Sequence, residues 1–405
     1  MKKTLIALAA LAVVSAASAE SSVTIYGVVD MGINSLKDSV GTTLLNGTAA
    51  TPASAKLDGT GAVVITPAAP ATRGAAFDLK KNGVQQGTMS NSRIGFKGTE
   101  DLGGGLKANF VLELALNPDE AANALTNRLS TVGLSGDFGA LTIGRQYTPY
   151  FVVQGAMDFA GNLNVTPGYV VNAHITNGGR ASNSIQYASP TIAGFSGIVQ
   201  VGAGQDATGT ESVIKDPSGA TSDSKNYGLA VIYAAGPLVA GAAYNSITTP
   251  SGLVAGEGFI TGGSNIVGFG SSTLLGASAE VKVWAAGASY DFGVVKASLA
   301  YSSLTDSKIT AGVTDLTSKG YNLSLAAPFG ATTLVANIGR ADVKQDSSTV
   351  DATIVGYQLM ANYALSKRTT AYAVYGRDTT SNLVATDVGD ALVRTSTAVG
   401  LRHTF

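Results

Sequence analysis

Val23-Thr24-Ile25-Tyr26-Gly27-Val28-Val29-Asp30-Met31-Gly32-Ile33-Asn34 is the stretch that decides how this chain is read. Val23, Ile25, Gly27, Val29, Met31 and Ile33 fall on one parity, and Thr24, Tyr26, Asp30 and Asn34 on the other. Successive side chains of a strand point to opposite faces, so the pattern is that of a strand with one apolar and one polar side. It recurs. Leu106, Phe110, Leu112 and Leu114 alternate with Lys107, Asn109 and Glu113, and Tyr227, Leu229, Val231 and Tyr233 with Asn226, Gly228 and Ala230. Near the end, Val355, Tyr357, Leu359, Ala361 and Tyr363 alternate with Gln358 and Asn362.

Counting outward from these gives about sixteen alternating segments. They lie near 23–34, 88–99, 106–116, 127–136, 140–147, 180–189, 195–204, 225–235, 238–246, 279–290, 294–303, 318–327, 331–340, 351–364, 369–377 and 393–405. Their connections differ sharply in length. Asp101-Leu102-Gly103-Gly104-Gly105, Asp137-Phe138-Gly139, Ala235-Gly236-Pro237, Asp291-Phe292-Gly293 and Pro328-Phe329-Gly330 are tight, turn-forming clusters. Residues 35–87, 148–179, 205–224, 247–278 and 304–317 are long and rich in Thr, Ser, Gly, Ala and Asp. One end of the sheet is trimmed and the other elaborated.

Composition narrows the class. The chain has 405 residues, of which charged residues make up 13%, against about 25% in a soluble globular protein. Fifty Gly and only 11 Pro describe a folded, turn-rich chain. With no Cys, disulfides, thiolate metal sites and Cys nucleophiles are excluded. A net charge of -1 lacks the basic footprint of a nucleic-acid binder.

Residues 1–19 read as a secretory signal, with Lys2 and Lys3 at its head, an apolar run from Leu5 to Ala17, and Ala17-Ser18-Ala19 as an A-x-A cleavage site. That run is too short to span a bilayer as a helix, and no run of 18 apolar residues follows it. An exported sheet of this kind, with apolar-out and polar-in strands near ten residues long, matches an all-β transmembrane barrel occupying residues 20–405. Lipid offers no partner for an open edge, so the sheet must close, and a closed antiparallel sheet of 16 strands encloses water. Tyr233, Tyr290, Tyr301 and Tyr363, near strand ends, suit the aromatic girdles at the bilayer interfaces.

Specific residues then point to a family. The start Val23 to Gly32, the stretch Ser92-Arg93-Ile94-Gly95-Phe96-Lys97-Gly98-Thr99-Glu100-Asp101-Leu102-Gly103-Gly104-Gly105-Leu106-Lys107-Ala108, the segment Gly144-Arg145-Gln146-Tyr147 and the C-terminus Val399-Gly400-Leu401-Arg402-His403-Thr404-Phe405 resemble the betaproteobacterial type of Gram-negative general porin. The resemblance implies a trimeric, sixteen-stranded outer-membrane pore for small hydrophilic solutes and ions. It also implies a third loop, here within 148–179, folded inward as the constriction. In that family a C-terminal Phe, here Phe405, resembles the signal read by the outer-membrane assembly machinery.

Alternation and resemblance together nominate the pore residues. Arg93 shares parity with Lys97 and Thr99, and Arg180 with Ser182, Ser184 and Gln186, so periodicity points both into the lumen. Arg128 heads a segment of mixed parity, with Val132 and Leu134 on its side, and alternation does not settle its direction. The resemblance places it with Arg93 and Arg180 in a basic constriction wall. Met157-Asp158-Phe159-Ala160-Gly161 resembles the acidic element of the constriction loop, and Asp158 is the only acid between Asp137 and Asp206. Three arginines facing one carboxylate would create a transverse field with a modest anion preference. Val28 replaces a Lys of enterobacterial relatives, and Gln154 or a neighbour stands where a second loop acid is expected. Lys97, Lys107 and Glu113 face inward as lumen wall, while Arg145, on the outward parity, reads as structural.

Catalytic motifs of the G-x-S-x-G, H-E-x-x-H and G-x-x-x-x-G-K-[ST] types are absent, and His174 and His403 lie far apart in the pattern. The reading is therefore a channel without metal or cofactor. A plugged-barrel adhesin or surface anchor and an outer-membrane barrel hydrolase are the alternatives.

Overall fold

In a computed structural model the described residues are 22–40, 54–57, 63–66, 77–120, 125–160, 179–205, 224–249, 279–308, 316–345, 351–381 and 391–405. The expected signal at 1–19 lies outside them. Their strands are β1 (Ser22–Val40), β2 (Ser54–Leu57), β3 (Val63–Thr66), β4 (Phe77–Gln86), β5 (Arg93–Gly103), β6 (Leu106–Ala115), β7 (Thr126–Gly136), β8 (Gly139–Tyr147), β9 (Arg180–Ala188), β10 (Phe195–Gln205), β11 (Ser224–Ala235), β12 (Leu238–Thr249), β13 (Ala279–Asp291), β14 (Lys296–Lys308), β15 (Leu316–Phe329), β16 (Thr332–Gln345), β17 (Asp351–Ala364), β18 (Thr369–Ser381) and β19 (Ala391–Thr404). A helix, α1 (Pro149–Met157), lies between β8 and β9.

From β5 to β19 each strand pairs antiparallel with the next, and β1 pairs with β19 from Val28↔Thr404 to Val40↔Leu392. On its other edge β1 meets β4 along Met31–Val40 and β5 along Ser22–Val28. β4 and β5 therefore lie end to end as two halves of one stave, and the 17 paired strands form a closed barrel of sixteen staves. β2 and β3 form a separate hairpin. No described helix is long and apolar enough to cross a membrane.

Closure satisfies both edges, as hydrocarbon requires. The seam is finished by Gly27 and Phe405, whose backbones exchange hydrogen bonds of 3.1 and 3.2 Å. The Phe405 ring then lies over Gly27, in the space that a Cβ would fill. Ile25, Phe110, Val132, Ile143, Leu229 and Leu359 point outward and are exposed, as a lipid-facing band needs. Asn226, Asn245, Ser302, Asn322, Asn337 and Gln358 occupy the inner parity.

The tight turns are built as their residues dictate. Asp101 and Asp291 each accept from the backbone N–H two residues on at 2.8 Å, and Gly103 and Gly293 take φ of 86° and 83°, which a side chain disfavours. Aromatic contacts form two rows. Phe195–Tyr233 and Tyr290–Phe292 sit by the short turns, and Trp284–Tyr301–Tyr321 crosses mid-strand toward the other rim. Tyr301 thus belongs inside β14 rather than at a strand end.

The structure corrects the first long connection. β1 runs to Val40, residues 77–86 are strand, and the expected strand 88–99 is broken over 87–92 and resumes at Arg93. Phe77-Asp78-Leu79-Lys80-Lys81-Asn82-Gly83-Val84-Gln85-Gln86 has few apolar residues on either parity, so alternation could not mark it. Its pairing with β1 comes from register, not from an apolar face.

Candidate functional site

The inner wall carries two distinct surfaces. On one side α1 is seated on an apolar patch made by Ala230, Ala243, Val281, Val283, Ala285 and Leu304, against which Tyr150 and Val153 are buried. Thr148 caps the helix by accepting from Phe151 N at 3.3 Å, and Pro149 opens it. Gly228 makes the seat possible, since a Cβ there would stand 2.7 Å from Pro149 Cδ. Burial pushes the Tyr150 phenol well above its ordinary pKa, so it remains neutral and accepts from Gln154 Nε2 at 3.2 Å. The exposed positions of the helix are Gly155 and Ala156, which present no charge to the lumen.

The other side is basic. Glu113 on β6 is 4% exposed and stands between two arginines. Its Oε1 is 2.6 Å from Arg128 Nε, and its Oε2 is 3.6 Å from Arg93 Nε and accepts from Tyr26 OH at 3.1 Å. Arg128 Nη2 donates to Tyr147 OH at 3.3 Å, and the Arg180 guanidinium stacks 5.0 Å from the centroid of the same ring. Arg402 on β19 lies within electrostatic range of Arg93 and Asp30. Counted around sixteen staves, Arg93, Glu113 and Arg128 lie on staves two to four and the helix seat on staves eight to eleven, so the seat lies across the lumen from these three residues, with Arg180 on stave six between them.

A bulge explains Arg128. The β6–β7 register jumps between Glu113↔Leu129 and Leu114↔Asn127, leaving Arg128 unpaired. The extra residue turns Arg128 inward although it shares parity with the outward Val132 and Leu134. The β8–β9 register likewise shifts between Gly144 and Gln146, after which Tyr147 lies opposite Arg180. Arg145, beside that shift, donates to Asn127 O at 3.1 Å and Ser182 Oγ at 2.8 Å and ties the three strands together.

The sequence-nominated residues thus divide. Arg93, Arg128, Arg180 and Glu113 come together, and Glu113 is their hub rather than a remote part of the wall. Asp158 is not brought to them. It is 7% exposed, and its Oδ1 accepts from Ala160 N and from Asn337 Nδ2 on β16, both at 2.9 Å. Lys97 stands over the Tyr26 ring at 5.4 Å, and Lys107 lies opposite Asp101 near the short turns. Tyr26, Tyr147, Asp30 and Arg402 were not singled out from sequence. Arg402 has lumen parity, but only the seam register Asp30↔Arg402 ties it to the wall. Among the described residues no cluster of three or more His, Asp or Glu is placed to hold a metal.

Residues 6–383 match the Gram-negative porin family. The chain belongs to the Gram-negative porins. Over the full length of both chains this porin is 30% identical to outer membrane porin protein 32 of Delftia acidovorans and 28% identical to an outer membrane porin protein of Bordetella pertussis. Among solved structures, the anion-selective porin from Comamonas acidovorans is 25% identical with a TM-score of 0.66, covering 95% of this chain and 100% of that one. The chain is therefore an outer-membrane, multi-pass β-barrel that forms a channel.

Proposed function

We propose that this porin passes small hydrophilic solutes and ions by diffusion with a preference for anions, and that Arg93, Arg128, Arg180 and Arg402 confer it. The observation that carries the reading is the one-sided charge. Arg93 and Arg128 flank Glu113, Arg180 stacks on Tyr147 beside Arg128 and Arg402 lies near Arg93 and Asp30, while the opposing helix surface is uncharged and Asp158 is bonded to β16. A positive wall facing a neutral one raises local anion concentration over its Debye length. The relative from Comamonas acidovorans, itself described as anion-selective, favours the same reading. The deciding measurement is the reversal potential of single channels under a tenfold KCl gradient in planar bilayers. A reversal potential on the cation-selective side would refute it.

The remaining assignments belong to the same proposal. Residues 1–19 act as an export signal, 20–405 as the barrel and 148–179 as the constriction loop. The chain is not an enzyme, and its partners are outer-membrane lipid, its own copies in a trimer and the assembly machinery, which reads Phe405 at the closed seam. For the trimer, an outward groove of about 910 Å³ between Ile33, Leu334, Leu359 and Val399, floored where Ala336, Ala361 and Ala373 leave backbone bare, would seat a neighbouring copy. Light scattering of the detergent-purified protein tests it, and a monomer would overturn that assignment.

A further inference from the structure

The break in the second stave has its own cause. Asp30, fully buried on β1, projects its carboxylate into the gap between β4 and β5. Its Oδ2 accepts from Met89 N at 2.8 Å and Ser90 N at 2.6 Å, and its Oδ1 accepts from Tyr372 OH at 2.6 Å. Its backbone completes the grip. Gly87 N donates to Asp30 O at 3.1 Å, and Asp30 N donates to Ser92 Oγ at 3.0 Å. The Tyr372 phenol reaches it from β18 by lying across Gly400 and Gly32, where a Cβ on either would meet it.

The turn so held does two things. Ser90 Oγ and Asn91 O accept from Arg93 Nη1 at 3.3 and 3.2 Å, fixing that guanidinium beside Glu113. Met89 from the same turn packs with Phe159 and Ala160, the residues that follow α1, on the inner wall formed by Val335, Met360 and Val374. One carboxylate therefore links the seam, the basic wall and the exit of the inserted segment.

We infer that Asp30 is a positioning residue of the pore: by holding the 87–92 turn it fixes Arg93 toward the permeating ion and steadies the segment after α1. This rests on the proposed role of Arg93, but it makes a separate claim about sign. If Asp30 acted only through its charge beside Arg402, Asp30→Asn would remove a negative charge and raise the anion preference. If it acts by positioning, Arg93 drifts. Moving a unit charge from about 4 to about 8 Å from a permeating ion in a water-like dielectric lowers its Boltzmann weight about two-fold.

The test is single-channel recording of wild-type, D30N, R93Q and D30N/R93Q proteins under a KCl gradient. The expected result is an anion-to-cation permeability ratio lowered about four-fold in D30N, the two-fold change acting with opposite sign on anion and cation, noisier open-channel current, and no further fall when D30N is added to R93Q. A raised or unchanged ratio in D30N overturns the inference, as does a full additional loss in the double variant. Tyr372→Phe keeps the carboxylate charge while removing one donor, and covers the case in which D30N fails to fold. It is expected to shift ratio and noise in the same direction, and wild-type behaviour there also overturns the inference. Should wild type be cation-selective and R93Q indistinguishable from it, the reading of Arg93 fails instead; the D30N current noise then still reports on the turn.

Discussion

Replacing Glu113 by Gln separates the charge of the hub from its shape. Gln keeps an oxygen for Arg128 Nε, which now stands 2.6 Å from Glu113 Oε1, so the bulge geometry is retained while one negative charge leaves the cluster. With four arginines against Glu113 and Asp30, the local balance rises from two positive charges to three. A unit charge about 5 Å from a permeating ion contributes about 0.8 kcal/mol in a water-like dielectric. Screening at 0.1 M salt reduces this to about 0.5 kcal/mol. The contribution has opposite sign for anion and cation, so the difference is about 1 kcal/mol, or roughly a five-fold increase in the permeability ratio. At 1 M salt the Debye length shrinks to about 3 Å and the increase drops below about two-fold. Reversal potentials at both salt concentrations, on protein whose barrel is confirmed by circular dichroism, measure it. An unchanged or lowered ratio at 0.1 M would refute the placement of Glu113 within electrostatic reach of the ion path.

Three further outcomes follow from contacts on the inner wall and the seam. Asn337→Ala removes the β16 donor to Asp158, and the less constrained carboxylate should lower the anion preference seen in the reversal potential; an increase would contradict that. Gly228→Val places atoms where Pro149 Cδ and Cγ stand 2.7 and 2.8 Å from a Cβ, so α1 must lift from its seat. Overpacking of this kind costs about 1–3 kcal/mol, and single-channel conductance should fall along with the melting temperature. Gly27→Val should displace the Phe405 ring from the seam and lower the yield of folded barrel, read as heat-modifiable mobility on gels, without altering the permeability ratio of the channels that do form.

How much of this was legible in the sequence depended on which force fixes each residue. Lipid on one side and water on the other write the period of two directly into β6, β11 and β17, and the strand at 351–364 is read to the residue. Where that contrast is missing the reading fails. β4 has few apolar residues on either parity, and the turn at 87–92 is set by hydrogen bonds that it donates to the Asp30 carboxylate, a residue about 60 positions away. Arg128 shows the second limit. Parity arithmetic assumes an unbroken ladder, and the bulge beside Glu113 inverts it, so the inward direction came only from resemblance to other porins. The apolar seat of α1 is the third. Val281, Val283 and Ala285 are apolar on the lumen parity because a helix covers them, which local pattern cannot reveal.

Asp158 carries the consequence for the pore. From sequence it was the one acid available to oppose the arginines, and a transverse field follows from that pairing. In the fold the same carboxylate joins Ala160 N to Asn337, and Asp30 similarly joins Met89, Ser90 and Tyr372. Both acids hold inserted backbone against the inner wall, and both meet one apolar cluster, where Met89, Phe159 and Ala160 pack on β16 to β19. Each of these two carboxylates is committed to two or three donors that fix its direction, so its part in the narrowing is to hold backbone in place. The narrowing is thus held in shape by acids and lined by bases, and the same contacts that fix its geometry leave its field one-sided. Loosening either clamp should therefore change shape and selectivity together, whereas neutralising Glu113 should change selectivity alone.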